Sequence, residues 1–239
     1  MPIDDSEIKK VLVVTAHPDD LDFMMGGTLK LWSNKGIELH YLICTNGDQG
    51  GFDSSIPRSE MPEIRQREQR AAGKVLGASS IEFLNYVDGH LEPTIELRKK
   101  IVAHIRKIQP DRMAIQSPER NWDRIGASHP DHLAAGEAAI QAVYPDSRNE
   151  FAFMDLLEQG LQPWKVREVW VASHTTPDHF VDITSTIEDK LNAIKAHESQ
   201  IQDVPALEER VREWTTKTAE LHGLPAGSHA EQFKIVNTD

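Results

Sequence analysis

The chain has 239 residues, 26 Lys and Arg against 38 Asp and Glu, and a formal net charge of −12. Hydrophobic residues at 39% and charged residues at 27% are ordinary globular usage, which excludes a disordered or fibrous chain. The acidic balance, with no dense Lys/Arg stripe, excludes nucleic acid as an expected partner. Apolar runs as short as Val11–Val14 exclude a membrane span.

The first ten residues are polar and lack a signal-peptide apolar stretch, so the expected location is cytoplasmic. Cys44 is the single cysteine, so the chain can form neither an internal disulfide nor a thiolate metal cage, and any metal must be held by His and carboxylates.

Residues 11–16 (VLVVTA) form a continuous apolar run and predict a strand buried on both faces. His17-Pro18-Asp19-Asp20 follows, and residues 21–34 carry helical apolar spacing closed by Gly36. Residues 37–45 predict a second strand, followed by the loop Asn46–Gly51. Helices are predicted over 64–76, 94–109, 130–143 and 184–197, with strands over 81–83, 112–116 and 169–172. This alternation predicts an α/β fold: a doubly wound, mainly parallel sheet flanked by helices. From about Asp203 onward the chain is polar, with an exposed helix expected around Trp214 and Gly/Pro punctuation at 223–227. Residues 1–200 are read as the domain and 201–239 as a C-terminal extension, packed on the same domain or on a neighbouring subunit.

Two clusters carry the chemistry. His17-Pro18-Asp19-Asp20 lies where a buried strand gives way to a helix, the sheet edge at which open α/β proteins bind ligands. His129-Pro130-Asp131-His132 opens a helix, with Pro130 suited to the first helical position and residues 129 and 132 able to share a face. One such cluster alone reads equally well as a turn in which Asp accepts helix-end N–H groups. Two of them point to a metal site. His17, Asp20 and His132 offer three N/O ligands, the number a catalytic zinc uses while keeping a position for water. Asp19 is placed as general base, and His129 as acid or oxyanion donor. Rival chemistries lack their signatures: there is no G-x-S-x-G elbow and no G-x-G-x-x-G or Walker A loop, and Cys44 lies inside an apolar strand.

Ala16-His17-Pro18-Asp19-Asp20 with Gly26-Gly27, together with His129-Pro130-Asp131-His132, resembles the paired motifs of the PIG-L (LmbE-like) N-acetylglucosaminyl deacetylases. Thr45-Asn46-Gly47-Asp48, the helix pattern Arg65, Glu68, Ala72, Leu76, Gly77, and the late set Lys190, Ala193, His197, Ser199, Gln200 add to the likeness, which runs from about Val11 to Gln200. The resemblance implies a Rossmann-like fold and Zn²⁺, or another divalent ion such as Fe²⁺, held by His17, Asp20 and His132. It also implies Asp19 as base, His129 as acid or oxyanion donor oriented by Asp131, and Arg65 on the substrate. The implied reaction hydrolyses an acetamide on an amino sugar, and homo-oligomers are common in the family. Relatives commonly carry Glu where this chain has Asp22, and an acidic residue where it has Ala127. An amidase for a larger thiol-sugar conjugate and a catalytically silent sugar-binding module are the alternative functions.

Overall fold

Strand β1 (Lys10–Thr15) alternates its side chains between two cores: Leu12 and Val14 enter one, Val11 and Val13 the other, all fully buried. At roughly 1.5–3 kcal/mol per buried aliphatic side chain, such a strand is stable only when both sheet faces are covered. The computed structural model, which describes residues 2–238, supplies that cover. In chain order, α1 (Asp20–Asn34), β2 (Glu38–Thr45), α2 (Met61–Leu76), β3 (Ser80–Tyr86), α3 (Ile95–Ile108) and β4 (Arg112–Gln116) follow β1. The remainder comprises α4 (Pro130–Val143), a short α5 (Met154–Glu158), β5 (Glu168–Ala172), β6 (His179–Asp182), α6 (Ile187–Lys195), α7 (Val204–Leu221) and β7 (Ala230–Asn237).

The sheet order is β3-β2-β1-β4-β5-β7-β6. Strands β1 to β5 run parallel, and β7 is antiparallel to both β5 and β6. Helices α3 and α4 fill the core on one face, through Ile101, Val102, Ala135 and Ala139. Helices α1 and α2 fill the other through Leu21, Met25, Leu29, Ala72 and Leu76, and Trp32 at the foot of α1 stacks edge-on against Trp170 of β5. The doubly wound sheet expected from the alternation is present.

The end of the chain, read as an extension packed on the same domain or on a neighbouring subunit, supplies α7 and β7. Strand β7 is an interior strand, pairing Trp170 with Ile235 on one side and Phe180 with Gln232 on the other. Its inward row is Glu231, Phe233 and Ile235, and the buried charge of Glu231 breaks the alternation by which a strand is recognised. That charge is met by Lys190 of α6, whose Nζ lies 2.5 Å from Glu231 Oε1, while Glu231 also accepts the backbone N–H groups of Gly27 and Thr28 at 3.1 and 2.8 Å. The last strand therefore ties down α1, the helix that follows the first His-Pro-Asp-Asp cluster. Among the described residues no helix is long and apolar enough to cross a membrane.

Candidate metal centre and its surroundings

Strand order reverses at β1, with β2 and β3 on one side and β4 and β5 on the other, so the loops leaving β1 and β4 diverge and open a crevice. The first cluster leaves β1 and the second leaves β4 through the loop before α4, which places both at this switch point. Gln116 at the end of β4 accepts the backbone N–H of Ala16 at 2.7 Å, locking the two strand ends together. Helix α4 sits close over them. A Cβ on Gly136 would lie 2.4 Å from the Gln116 carbonyl oxygen, so only glycine permits this approach.

The side chains of His17, Asp20 and His132 meet in the crevice. His132 Nε2 lies 2.9 Å from Asp20 Oδ1 and 3.2 Å from His17 Nδ1, and His17 Nδ1 is 3.4 Å from Asp20 Oδ2. Donor atoms about 2.0–2.1 Å from a tetrahedral ion are separated by roughly 3.4 Å, so this trio fits one small divalent cation after slight adjustment. Two imidazoles and a carboxylate suit borderline ions such as Zn²⁺ or Fe²⁺.

The other ring nitrogen of His17, Nε2, faces two carboxylates, Asp88 Oδ1 at 3.0 Å and Asp131 Oδ2 at 3.2 Å. Donor atoms of His17, Asp88 and Asp131 also lie within 4.8 Å of one another, as do those of His17, His129 and His132. Carboxylates on Nε2 fix the tautomer and turn the Nδ1 lone pair toward Asp20 and His132, the arrangement by which an outer carboxylate orients a ligating imidazole. This favours Nδ1 as the ligand atom. Burial by itself would lower the His17 pKa, but Asp20, Asp131 and Asp88 outweigh it and hold it up to about 12. Asp20 shows the converse: burial would raise it, yet His132 and His17 hold it well below the carboxylate range. The cluster strongly favours positive charge.

Asp131 was expected to orient His129. Its carboxylate is fully buried and accepts the N–H groups of Gly89 at 2.7 Å and Leu91 at 3.1 Å while facing His17 Nε2. The hydrogen bond to His129 comes from its backbone: the Asp131 N–H donates to His129 Nδ1 at 3.2 Å, making His129 the N-cap of α4, and the nearby carboxylate charge acts on the ring to raise its pKa. With Nδ1 accepting, a neutral His129 carries its proton on Nε2, and burial together with the charge of His17 outweighs the carboxylate and lowers the pKa, favouring that neutral form.

Asp19 sits beside the cluster at φ 87°, a left-handed conformation that costs a non-glycine residue about 1–3 kcal/mol. Its N–H donates to Gln69 Oε1 at 2.7 Å, and Gln69 Nε2 donates to Asp22 Oδ2 at 2.9 Å. His197 Nε2 meets the same Asp22 oxygen at 2.8 Å. The strained turn is thus clamped by α2 and by a fully buried Asp22–His197 pair. Burial raises the Asp19 pKa, the Arg65 guanidinium opposes it and Asp20 adds to it, leaving the carboxyl at about 6.

Arg65, expected on the substrate, is 3% exposed and lies in the wall of the cleft. Its Nη2 donates to the Pro18 carbonyl and, at 3.1 Å, to Asp19 Oδ2, and its Nη1 reaches the Gly47 carbonyl at 3.4 Å. The guanidinium is committed to the turn carrying Asp19 and to the loop after β2. Asp88 and Gln69 were missed in the sequence. Asp88-Gly89 has only the signal of a carboxylate just beyond a strand at the same sheet edge, and Gln69 had none. His17, Asp19, Gln49, Arg65, Asp88 and His129 border an open cleft of about 450 Å³.

Fold and donor set together define a class, α/β proteins built on a doubly wound sheet with a candidate metal centre at the switch point. The sequence profile of the PIG-L family, described as GlcNAc-PI de-N-acetylase, matches residues 12–143, and the chain belongs to this family. It is 35% identical over 198 residues to the diacetylchitobiose deacetylase of Thermococcus kodakarensis, covering 83% of this chain and 72% of that protein. A probable N-acetyl-alpha-D-glucosaminyl L-malate deacetylase 2 of Bacillus cereus is 30% identical, with 81% of this chain and 84% of that protein covered. The structure of the Pyrococcus horikoshii N,N'-diacetylchitobiose deacetylase in complex with its inhibitor MPG superimposes with a TM-score of 0.89 at 33% identity, over 97% of this chain and 85% of that one.

Proposed function

We propose that this protein hydrolyses the N-acetyl group of an N-acetylglucosamine-containing or related small amino-sugar substrate, releasing acetate and a free amine. The observation carrying this reading is the convergence of His17, Asp20 and His132 within 3.4 Å beside a separate carboxylate, Asp19. A divalent cation, Zn²⁺ in this reading, held by those three residues would acidify water and polarise the amide carbonyl.

Asp19 takes the proton of the attacking water. A pKa of about 6 leaves it ionised near neutrality yet basic enough to accept the proton. Arg65 and Gln69 hold the Asp19 turn in place and act as positioning residues. His129, neutral and with Nε2–H directed away from its cap, donates to the oxyanion as the carbonyl carbon becomes tetrahedral. The protonated Asp19 then returns its proton to the departing nitrogen, so the C–N bond breaks to an amine and acetate.

The test is acetate release from methyl N-acetylglucosaminide by protein stripped with a chelator and reloaded with Zn²⁺ or Fe²⁺, beside metal analysis of protein as purified. Release restored by metal is expected. Absence of release across a panel of acetylated amino sugars, with metal bound stoichiometrically, would overturn the reading.

A further inference from the structure

The segment that follows helix α6 reaches the Asp19 turn by two routes. The first runs from His197 through Asp22 and Gln69 to the Asp19 N–H. The second starts in the short 3₁₀ turn Glu198–Gln200. Gln200 Oε1 accepts the Gly51 N–H at 3.0 Å, and its Nε2 donates to Ser199 Oγ at 2.7 Å. Ser199 in turn gives both its N–H and its hydroxyl to Glu68 of α2, at 2.7 and 2.8 Å. Glu68 is 8% exposed and lies one turn along α2 from Arg65. A carboxylate this buried is stable only when its lone pairs are met, so Ser199 fixes the 3₁₀ turn to α2 and leaves Gln200 against the glycine loop.

Gly50 is where that loop meets Arg65. A Cβ there would strike Arg65 Nη1 and Gln200 Oε1, so the bare backbone lies against the guanidinium and the amide at once. This packing matters because Arg65 is thinly hydrogen-bonded on the covered side. Its Nη1 reaches the Gly47 carbonyl only at 3.4 Å, and its buried Nε has no hydrogen-bond partner among the described residues. Nη2, by contrast, holds the Pro18 carbonyl and Asp19 Oδ2. Hydrogen bonds therefore fix one end of the guanidinium, and the Gly50 backbone fixes the other by contact.

We propose that Gln200 is a positioning residue for Asp19, acting through the Gly50–Gly51 backbone and Arg65. Residues 197–200 then hold Asp19 at both ends, its N–H by way of His197 and its carboxylate by way of Gln200. The proposal rests on the deacetylase reading for the role of Asp19 as base, but the hold on the Asp19 turn can be measured without turnover.

Two variants break the route at different points. Q200A removes the acceptor of the Gly51 N–H, and G50A, at a φ outside the left-handed region, puts a methyl group where Arg65 Nη1 stands. Each should bind Zn²⁺ as the wild type does and lower kcat for acetate release from methyl N-acetylglucosaminide by about 10–100-fold, the scale set by a displacement of about 1 Å at a reacting group. Added to D19N, neither should lower kcat by more than about a further twofold, because the group being positioned is already lost, whereas a purely structural role would lower it again in full. In hydrogen exchange read by mass spectrometry on the zinc-loaded proteins, peptides covering residues 17–22 should exchange about tenfold or more faster in both variants. If Q200A loses its cooperative melting transition, G50A alone decides. Unchanged exchange of those peptides, or a loss of kcat undiminished in the D19N background, would overturn the proposal. The two failures are distinct. Faster exchange in the variants of a protein that releases no acetate removes the deacetylase reading alone, and acetate release with exchange unchanged removes the role of Gln200 alone.

Discussion

His17 does two jobs with one ring: Nδ1 faces Asp20 and His132, and Nε2 is gripped by Asp88 and Asp131. Removing the negative charge of Asp131 should weaken the orientation and basicity of that ring without removing a ligand. D131N is therefore expected to bind Zn²⁺ about 10–100-fold more weakly in a chelator-competition titration. An affinity equal to wild type would show that the buried carboxylate serves the fold alone. Asp19 presents the opposite separation, since its carboxylate stands outside the ligand trio. D19N should keep its metal stoichiometry while kcat for acetate release drops by about 10²–10⁴. Both His-Pro-Asp clusters were legible in sequence because each is contiguous. The partner of each side chain was not, because Asp88, Gln69 and Arg65 are brought in by other elements.

At the scale of elements, two contacts set the site. Helix α4 carries His129 and His132 and depends on Gly136 for its approach to the end of β4, where an added Cβ would meet backbone, which cannot swing aside. G136A should lose about 1–3 kcal/mol of stability in urea titration and, by displacing His132, bind metal more weakly. Loss of neither would mean that α4 has slack the packing does not show. The second contact is the buried His197–Asp22 pair joining α1 to the segment after α6. Burial would lower the His197 pKa, but Asp22 more than reverses this, so the folded value is raised above 6.5. A raised pKa contributes stability that is fully present below the unfolded value and is lost as pH rises through the folded one. The gap in melting temperature between wild type and H197Q, measured on metal-free protein, is therefore expected to be widest below pH 6.5 and to narrow as pH rises. A gap independent of pH would assign the pair a purely steric role.

For the whole molecule, the sheet is completed from the far end of the chain. Residues 201–239 supply the interior strand β7, the covering helix α7 and Glu231, whose carboxylate ties Lys190 to the backbone of α1. A chain ending at residue 200 would strand Lys190 as a buried unpaired cation, at a cost of several kcal/mol, and expose the flanks of β5 and β6. It should show no cooperative thermal transition and should aggregate. A soluble fragment with a sharp transition would show that residues 1–200 fold without β7 and α7.

The sequence by itself determined the parallel core, since a strand buried on both faces such as β1 is a continuous apolar run, and strands and helices alternate along the chain, with helix starts marked by caps such as Thr94, whose side chain accepts the Leu97 N–H. It also determined which residues could be ligands, because a strand end or a first helical turn fixes where its next three side chains point. Tertiary structure decided the rest. That Asp131 reaches His17, that Arg65 pairs with Asp19, and that β7 lies inside the sheet all depend on charges whose partners lie roughly 40 to 200 positions away. Local periodicity records burial along one element. It cannot record which distant charge makes the burial of an ionised group affordable, and that pairing is where this site acquires its geometry.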